Sequence, residues 1–288
     1  MTQTIGIAGT GRMGTAFARR LIETGHSVRV WNRDASRTAT AVGAGAQAVD
    51  LAGLARCDVI ILSLTDAAAS RSVLGGLADT GLQGRLVIEM STLMPDEAEV
   101  LGAAAAVAGA DLVHCPVGGT VAPALKGQLL GLAGGAAAAF DRAKPVLDQL
   151  CRRVEHLGSP GAAARMKLAV NLPLAVYWQT LGESLALLRG AGVPDDLAIS
   201  LIADSSSGPT VLKTRAQVVV DTLAGSDQPG TFDIAGLAKD LALALRLAKA
   251  EGAEMPVAQS VASRYGAAIT AGVGGFDGAS LARRAAGR

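Results

Sequence analysis

The chain has 288 residues and a formal net charge of +1 at pH 7; half of its residues are apolar and 3% are aromatic. This length is sufficient for two domains with sizeable cores, and no apolar run approaches the ~20 residues of a membrane-spanning helix. The balanced charge and the scarcity of aromatic side chains argue against a nucleic-acid-binding surface. Neither nucleic acid nor a membrane is an expected partner.

Cysteine usage and the start of the chain indicate the compartment. The first strand-like run follows directly after Met-Thr-Gln, which leaves no room for a signal peptide. The cysteines and histidines are too scattered for a disulfide framework or a metal site. They are Cys57, Cys115, Cys151, His26, His114 and His156. We therefore expect a cytoplasmic protein without a metal ion.

The chain begins with a strand–glycine loop–helix–strand pattern. An apolar strand over Thr4–Ala8 precedes a G-x-G-x-x-G loop, a helix is predicted from Arg12 to Thr24 with Gly25 ending it, and a second strand runs over Val28–Arg33. Such a loop provides a tight turn, room for a pyrophosphate and a helix N-terminus that attracts an anion. The sequence predicts a dinucleotide site here, with these cofactor-binding residues in the loop: Gly9, Gly11, Arg12, Met13 and Gly14.

The end of the second strand indicates which dinucleotide is bound. NAD-binding proteins usually have an acidic residue there to accept from the ribose hydroxyl, but this chain has Asn32 and Arg33, with no acid before Asp34. The guanidinium of Arg33 matches a phosphate, Asn32 can donate beside it, and Arg37 follows one turn later. NADP(H) is therefore favoured over NAD(H). The alternative is an ordinary surface turn with a solvated arginine.

Further along, the first half alternates between apolar strand-like runs and Ala-rich helical stretches. This alternation predicts an α/β Rossmann domain, a doubly wound and mostly parallel sheet, over residues 1–161. Long Ala/Leu-rich segments then predict an all-α domain over residues 162–288, beginning with a long interdomain helix. The predicted strands are Val59–Leu64, Leu86–Glu89, Leu112–Val113 and Leu129–Leu132, and the predicted helices include Ala162–Arg189, Asp196–Ala203, Thr210–Thr222 and Gly236–Glu251.

Four further motifs occur in a fixed order. They are Glu89-Met-Ser-Thr-Leu-Met-Pro95, His114-Cys-Pro-Val-Gly-Gly-Thr120, the pair Lys167 and Asn171, and Phe232 followed by Lys239-Asp-Leu241. With the N-terminal unit, they make the chain resemble the β-hydroxyacid dehydrogenase family of 3-hydroxyisobutyrate dehydrogenase and glyoxylate/succinic semialdehyde reductase, which is related to imine reductases. The resemblance covers nearly the whole length, and the Asn-Arg pair is similar to that of the NADPH-using members.

The resemblance implies an NADPH-dependent oxidoreductase that transfers a hydride between the nicotinamide and a small aldehyde or keto acid, or the matching β-hydroxyacid. It implies further cofactor contacts from Leu64, Ser91, Thr92 and Lys239. Ser91 and Thr92 have an alternative role as caps of the helix that begins at Pro95.

Lys167 and Asn171 are the candidate catalytic residues. On a helix they project from one face about one turn apart. An ammonium near a carbonyl oxygen stabilises the negative charge that a hydride leaves there and then delivers the proton. Lys167 is the expected general acid/base, with Asn171 orienting it and donating to the substrate. The alternative for Lys167 is a solvated helix lysine, although its flanking residues are apolar.

The predicted substrate-binding residues are Gly118, Gly119, Thr120, Lys239 and Trp178. Successive N–H groups of Val117-Gly-Gly-Thr120 can cradle a carboxylate, which suggests a small carboxylic acid as substrate, although a simple tight turn is the alternative. The serine of the family motif is Gly118 here, which removes a hydroxyl and enlarges the pocket. Trp178 lines the pocket or simply packs in the core.

Two other functions remain open. Imine reductases share this architecture, although they usually have another residue, often Asp or Tyr, where Lys167 stands. A third hypothesis is an NADP-binding sensor or scaffold without turnover. In each case we expect an interdomain cleft as the site and self-association of the helical half, giving a homodimer or a higher oligomer.

Overall fold

The computed structural model describes residues 3–288. They divide into two units, one ending at Leu168 and the other spanning Ala169–Arg288. The division lies inside the helix Pro160–Ala186, beyond the boundary after Gly161 that the sequence predicts. This long helix therefore contributes residues to both units.

The first unit contains a six-stranded sheet in which every described pair of neighbours is parallel. Its order is β3-β2-β1-β4-β5-β6, the arrangement of a doubly wound dinucleotide-binding sheet. The predicted Rossmann fold is thus confirmed. The strands are β1 (Thr4–Ala8), β2 (Ser27–Trp31), β3 (Gln47–Ala48), β4 (Val59–Leu62), β5 (Leu86–Glu89) and β6 (Asp111–His114).

Helices cover both faces of this sheet. The helices of the first unit are α1 (Arg12–Glu23), α2 (Ala39–Gly43), α3 (Leu51–Ala55), α4 (Ala67–Ala78), α5 (Pro95–Val107), α6 (Val121–Leu125) and α7 (Ala137–Leu150), with a 3₁₀ turn at Ala35–Thr38. Ile61 and Ile88 belong to one apolar cluster, whereas Ile60 and Val87 belong to another. Consecutive strand residues point to opposite faces, so both faces are buried, which explains the unbroken apolar runs.

One predicted strand belongs to a different sheet. The sequence predicts Leu129–Leu132 as a strand of the parallel sheet. In the structure it forms β8 (Leu129–Ala133), which lies between β7 (Val117–Gly118) and β9 (Cys151–His156) in a three-stranded sheet. The β7–β8 pair is antiparallel and the β8–β9 pair is parallel. Strand β9 carries mostly polar side chains and is largely exposed, so it has no apolar run for sequence analysis to detect.

The second unit is helical, as predicted. Its described elements are the later part of α8 (Pro160–Ala186), α9 (Asp195–Asp204), α10 (Thr210–Leu223), α11 (Ile234–Ala250), α12 (Pro256–Thr270) and α13 (Gly278–Ala285). Helix α11 begins earlier than the predicted Gly236 because the carboxylate of Asp233 accepts from the Gly236 N–H at 2.9 Å and caps the helix.

No helix within residues 3–288 combines the length and the apolar character that crossing a bilayer requires.

The core of the second unit contains two large aromatic side chains. Trp178 is 3% exposed and its ring lies where a side chain on Gly278 would stand, since an added Cβ there comes 2.3 Å from the indole Nε1. Tyr265 is 1% exposed and donates its hydroxyl to the carbonyl oxygen of Ala175 at 2.9 Å. Trp178 therefore has the packing role that the sequence allowed, and its contact with substrate stays a prediction.

The chain's two tyrosines provide a matched test of these contacts. Burial raises the pKa of both, but the Tyr177 hydroxyl is buried without a hydrogen-bond partner among the described residues. We expect Tyr265→Phe to lower the free energy of unfolding by about 1 kcal/mol, because it removes a made hydrogen bond. Tyr177→Phe should change it by less than ~0.5 kcal/mol or stabilise the protein. Urea denaturation of both variants measures this, and equal losses would contradict the structure.

Candidate active site

The glycine loop joins β1 to α1 at the carboxyl edge of the sheet. Gly9 has φ +95°, and an added Cβ would lie 2.2 Å from the Ser63 carbonyl oxygen. A Cβ on Gly14 would lie 1.9 Å from the Gly9 carbonyl oxygen. A side chain at either position would overlap with a backbone carbonyl oxygen, so both positions favour glycine. Gly11 differs, because a Cβ there meets no described atom within 4 Å. Its open side is space that a ligand can occupy.

The start of α1 faces this open space. Gly11 is the N-cap of the helix and supplies no side-chain cap. The partial positive charge of a helix N-terminus favours an anion at such a place. The residues present therefore fit the pyrophosphate of a dinucleotide, as the sequence predicts for Gly9, Gly11, Arg12, Met13 and Gly14.

The end of β2 has the polar groups expected from the sequence, and one of them, Asn32, has a partner in the glycine loop. The Asn32 amide donates to the Thr10 hydroxyl at 3.0 Å, so it ties β2 to the glycine loop. Arg33 and Arg37 are exposed, and the Arg37 Nε lies 3.7 Å from the Asp34 Oδ2.

The Asp34 carboxylate accepts from the backbone N–H and the hydroxyl of Ser36, and these bonds lower the pKa of Asp34. The Oδ1 oxygen of Asp34 is thus engaged in its own turn.

The loop after β5 joins two strand ends. The Ser91 hydroxyl accepts from the Leu64 N–H at 2.9 Å, and the Ser91 N–H donates to Glu89 at 2.7 Å. The alternative role of Ser91 and Thr92 as caps of α5 is wrong, because the N-cap is Met94 and its N–H donates to Glu97 at 3.0 Å. Parallel neighbouring strands place Leu64, Ser91 and Thr92 at the same edge as the glycine loop.

The loop after β6 contains two different glycines. Gly118 lies in β7 opposite Leu130, and an added Cβ would make an ordinary contact of 3.5 Å with that residue. Gly119 has φ +119°, and a Cβ there would lie 2.7 Å from Leu129. Thr120 is the N-cap of α6 without a side-chain cap bond. Only Gly119 is required by the backbone, so the absence of a side chain at Gly118 leaves space that the fold itself does not need.

Lys167 is buried beside this loop. The residue lies on the part of α8 that belongs to the first unit and is 8% exposed. Its ammonium group donates to the Val117 carbonyl oxygen at 2.8 Å. A buried ammonium is costly unless it is hydrogen-bonded. The alternative of a solvated lysine is therefore wrong, and the ammonium lies next to Gly118.

Asn171 has a partner within the second unit that sequence analysis missed. Its amide donates to the Asp240 carboxylate at 2.6 Å, and both side chains are 6% exposed. Lys239, the neighbour of Asp240 in the sequence, is half-buried on α11. The signal was present in the Lys239-Asp240-Leu241 motif, but a sequence cannot show that helices α8 and α11 face each other at this point.

The cysteines of the first unit form no disulfide among the described residues. Within residues 3–288 there is no cluster of three or more His, Cys, Asp or Glu side chains that could bind a metal ion. The cysteines are free and buried, and burial raises the pKa of the Cys151 thiol to about 12. Such thiols are poor nucleophiles.

Comparison with known proteins shows the family to which the chain belongs. The family model for the NAD binding domain of 6-phosphogluconate dehydrogenase matches residues 4–158. The model described as NAD-binding of NADP-dependent 3-hydroxyisobutyrate dehydrogenase matches residues 161–285. Glyoxylate/succinic semialdehyde reductase 1 of Arabidopsis thaliana is 30% identical over 95% of this chain and 95% of its own. The 3-hydroxyisobutyrate dehydrogenase of Pseudomonas aeruginosa is 32% identical over 88% of each chain.

Solved structures show the same architecture. The 3-hydroxyisobutyrate dehydrogenase of Mycobacterium tuberculosis with L-serine has a TM-score of 0.87 at 26% identity and covers 99% of both chains. An imine reductase of Streptomyces aurantiacus has a TM-score of 0.68 at 21% identity and covers 97% of this chain and 98% of its own. The second likeness concerns the fold alone.

The glycine loop generates a paired prediction. Gly11→Ala should leave the melting temperature within a few degrees of the original, because its methyl group meets no described atom. It should weaken NADPH binding roughly 10- to 100-fold, since an overpacked methyl group costs about 1–3 kcal/mol. Gly14→Ala should lower the melting temperature as well. Thermal unfolding and NADPH fluorescence titration measure both, and a destabilised Gly11→Ala with normal affinity would contradict this assignment.

Proposed function

The chain belongs to the β-hydroxyacid dehydrogenase family, and from this premise we propose that it is an NADPH-dependent reductase of a small aldehyde or keto acid, or equally a dehydrogenase of the matching β-hydroxyacid. The chain is an oxidoreductase with a nicotinamide cofactor. The observation that carries the finer proposal is the buried ammonium of Lys167 at the Val117–Thr120 loop.

A bound nicotinamide supplies or accepts the hydride. In our proposal, Gly9, Gly11, Arg12, Met13 and Gly14 bind the pyrophosphate, and Leu64, Ser91 and Thr92 contact the nicotinamide half. The open space at Gly11 and the bonds that hold Ser91 at the edge of the sheet support these roles.

The preference for NADP rests on the end of β2. The exposed guanidinium of Arg33 would bind the 2′-phosphate, and Asn32, fixed by its bond to Thr10, would donate beside it. The sequence at the end of β2 supports this choice, because no acid stands before Asp34 where one usually accepts from a ribose hydroxyl.

Lys167 is the proposed general acid/base. Reduction of a carbonyl leaves negative charge on its oxygen, and an ammonium within hydrogen-bond reach stabilises that charge and then donates a proton. In the structure the ammonium donates to Val117; in the reaction the substrate oxygen would take a proton from the same nitrogen. Burial supports the role, because electrostatic stabilisation is stronger where water is excluded.

The substrate would be a small carboxylic acid. The N–H groups of Gly118, Gly119 and Thr120 are the proposed carboxylate cradle, with Lys239 as a second positive charge. Asn171 would donate to the substrate and orient Lys167, and its bond to Asp240 supports this by fixing the amide. The space at Gly118 favours a substrate bulkier than one held against a serine at that position.

Imine reduction is the second candidate, favoured by the shared fold and by the absent serine at Gly118. The carbonyl proposal is preferred because Lys167 is retained and buried. A sensor or scaffold without turnover is the third. The homodimer or higher oligomer and the cytoplasmic location stay predictions.

Lys167→Met tests the catalytic role while it keeps the apolar stem of the side chain. We expect turnover of a small aldehyde or keto acid with NADPH to fall by about 10²-fold or more, with little change in NADPH affinity. The matched control is Lys126→Ala, an exposed lysine in the same unit, which should keep full activity.

The assay panel separates the alternatives. It contains glyoxylate, succinic semialdehyde, other small semialdehydes and cyclic imines, each with NADPH and with NADH. Turnover of imines alone would transfer the protein to the imine reductases, and tight NADPH binding with no turnover would favour the sensor. A Lys167→Met variant with undiminished carbonyl reduction would refute the proposed acid.

Arg33→Ala tests the choice of cofactor. A charge-assisted hydrogen bond contributes about 1.5–3 kcal/mol, so NADPH affinity should fall roughly tenfold or more. NADH affinity in the same variant is the internal control and should be unchanged, because NADH has no 2′-phosphate. Equal losses for both cofactors, measured by fluorescence titration, would show that Arg33 does not bind the phosphate.

A further inference from the structure

The imidazole of His114 lies between two carbonyl oxygens in the first unit. The residue is at the end of β6 and has no exposed surface. Its Nδ1 lies 3.1 Å from the Pro160 carbonyl oxygen, and its Nε2 lies 3.0 Å from the Ser91 carbonyl oxygen. A neutral imidazole has only one N–H, and its other nitrogen presents a lone pair. Only a ring with hydrogen on both nitrogens can donate to both carbonyl groups.

A buried acid lies on the neighbouring strand. Glu89 pairs in register with His114. Val87 and Leu112 stand two positions before them on the same two strands, and both belong to one apolar cluster on one face of the sheet. The two side chains therefore point to the same face of strands that are about 4.8 Å apart. Glu89 is fully buried. Its Oε1 accepts from Ser91, and its Oε2 has no hydrogen-bond partner among the described residues.

The proposed charges of His114 and Glu89 account for each other. A single charge buried in an apolar interior is costly, whereas a pair of opposite charges is tolerated. A carboxylate on Glu89 supplies a negative charge on the same face of the sheet as an imidazolium of His114, one strand away. The imidazolium balances a carboxylate whose Oε2 has no donor among the described residues.

The ring contacts join two parts of the proposed active site. Ser91 is fixed by its hydroxyl, its N–H and, through His114, its carbonyl group. Pro160 is the first residue of α8, which carries Lys167 two turns later. The Lys167 ammonium in turn donates to Val117, in the loop that follows His114.

We propose that His114 is a positioning residue: an imidazolium, with Glu89 as its counter-ion, that holds the Ser91 loop and the start of α8 and so sets the position of Lys167. This proposal rests on the proposed role of Lys167 for its catalytic consequence. The state of the ring does not depend on that role.

Nitrogen-15 NMR of the full chain labelled at histidine tests the ring directly. The chain has 3 histidines, so His26→Asn and His156→Asn identify the His114 signals by elimination, without any change at His114. His156 has one ring nitrogen at a carbonyl oxygen, that of Gly135, and is an internal reference. We expect hydrogen on both nitrogens of His114 at neutral pH. A nitrogen without hydrogen would overturn the proposal.

Glu89→Gln tests the counter-ion while keeping the size of the side chain. Without the negative charge, we expect one ring nitrogen of His114 to lose its hydrogen. The matched control is Glu99→Gln, because the Glu99 carboxylate accepts from the Gly161 N–H at 2.9 Å, next to Pro160, but is exposed. An unchanged ring in Glu89→Gln would overturn the pairing.

Kinetics tests the positioning role. Misplacement of a catalytic group by about 1 Å can cost roughly 10²-fold, so His114→Asn and Glu89→Gln should lower kcat by about 10- to 100-fold, with a smaller change in substrate KM. Full kcat in a folded His114→Asn would overturn the role. If His114→Asn does not fold, the kcat of Glu89→Gln decides the question.

Absence of turnover in the original chain would refute the proposed function, whereas the NMR result would still decide the protonation state of the His114 ring.

Discussion

The close approach of α1 to the loop after β1 is the constraint on which the rest of the site depends. Gly14 packs so closely against the Gly9 carbonyl group that no side chain fits at Gly14, and the Ser63 carbonyl group excludes a side chain at Gly9. This contact places the N-terminus of α1 directly beyond the carboxyl end of β1. Helix, loop and strand end are thereby held in the geometry that a dinucleotide requires.

From this point, hydrogen bonds extend along the carboxyl edge of the sheet. The Gly9 N–H donates to Trp31 at the end of β2, and the Ser63 N–H donates to Ala8 at the end of β1. The Leu64 N–H then donates to Ser91 after β5, whose carbonyl group contacts His114 at the end of β6. Each strand end is fixed by its neighbour, so the polar groups facing a ligand are preorganised before it binds.

The catalytic candidates are held in the same way, each within its own unit. Lys167 is bonded to Val117 in the first unit, and Asn171 is bonded to Asp240 in the second. Both polar groups are buried and would be costly without these partners. The helix that carries them is continuous, which is why a pair four positions apart in the sequence is an informative pattern.

The sequence by itself determined the parallel class of the sheet, the position of the glycine loop and the helical second half, and it predicts the residues of the site. These follow from local rules: apolar runs buried on both faces, glycines where a Cβ does not fit, and helical spacing. Only the tertiary structure decided that Leu129–Leu132 joins a second sheet, because its partner β9 is polar and exposed. It alone also paired Asn171 with Asp240 and His114 with Pro160, since these partners are 69 and 46 residues apart and no local pattern encodes which distant groups meet when the chain folds.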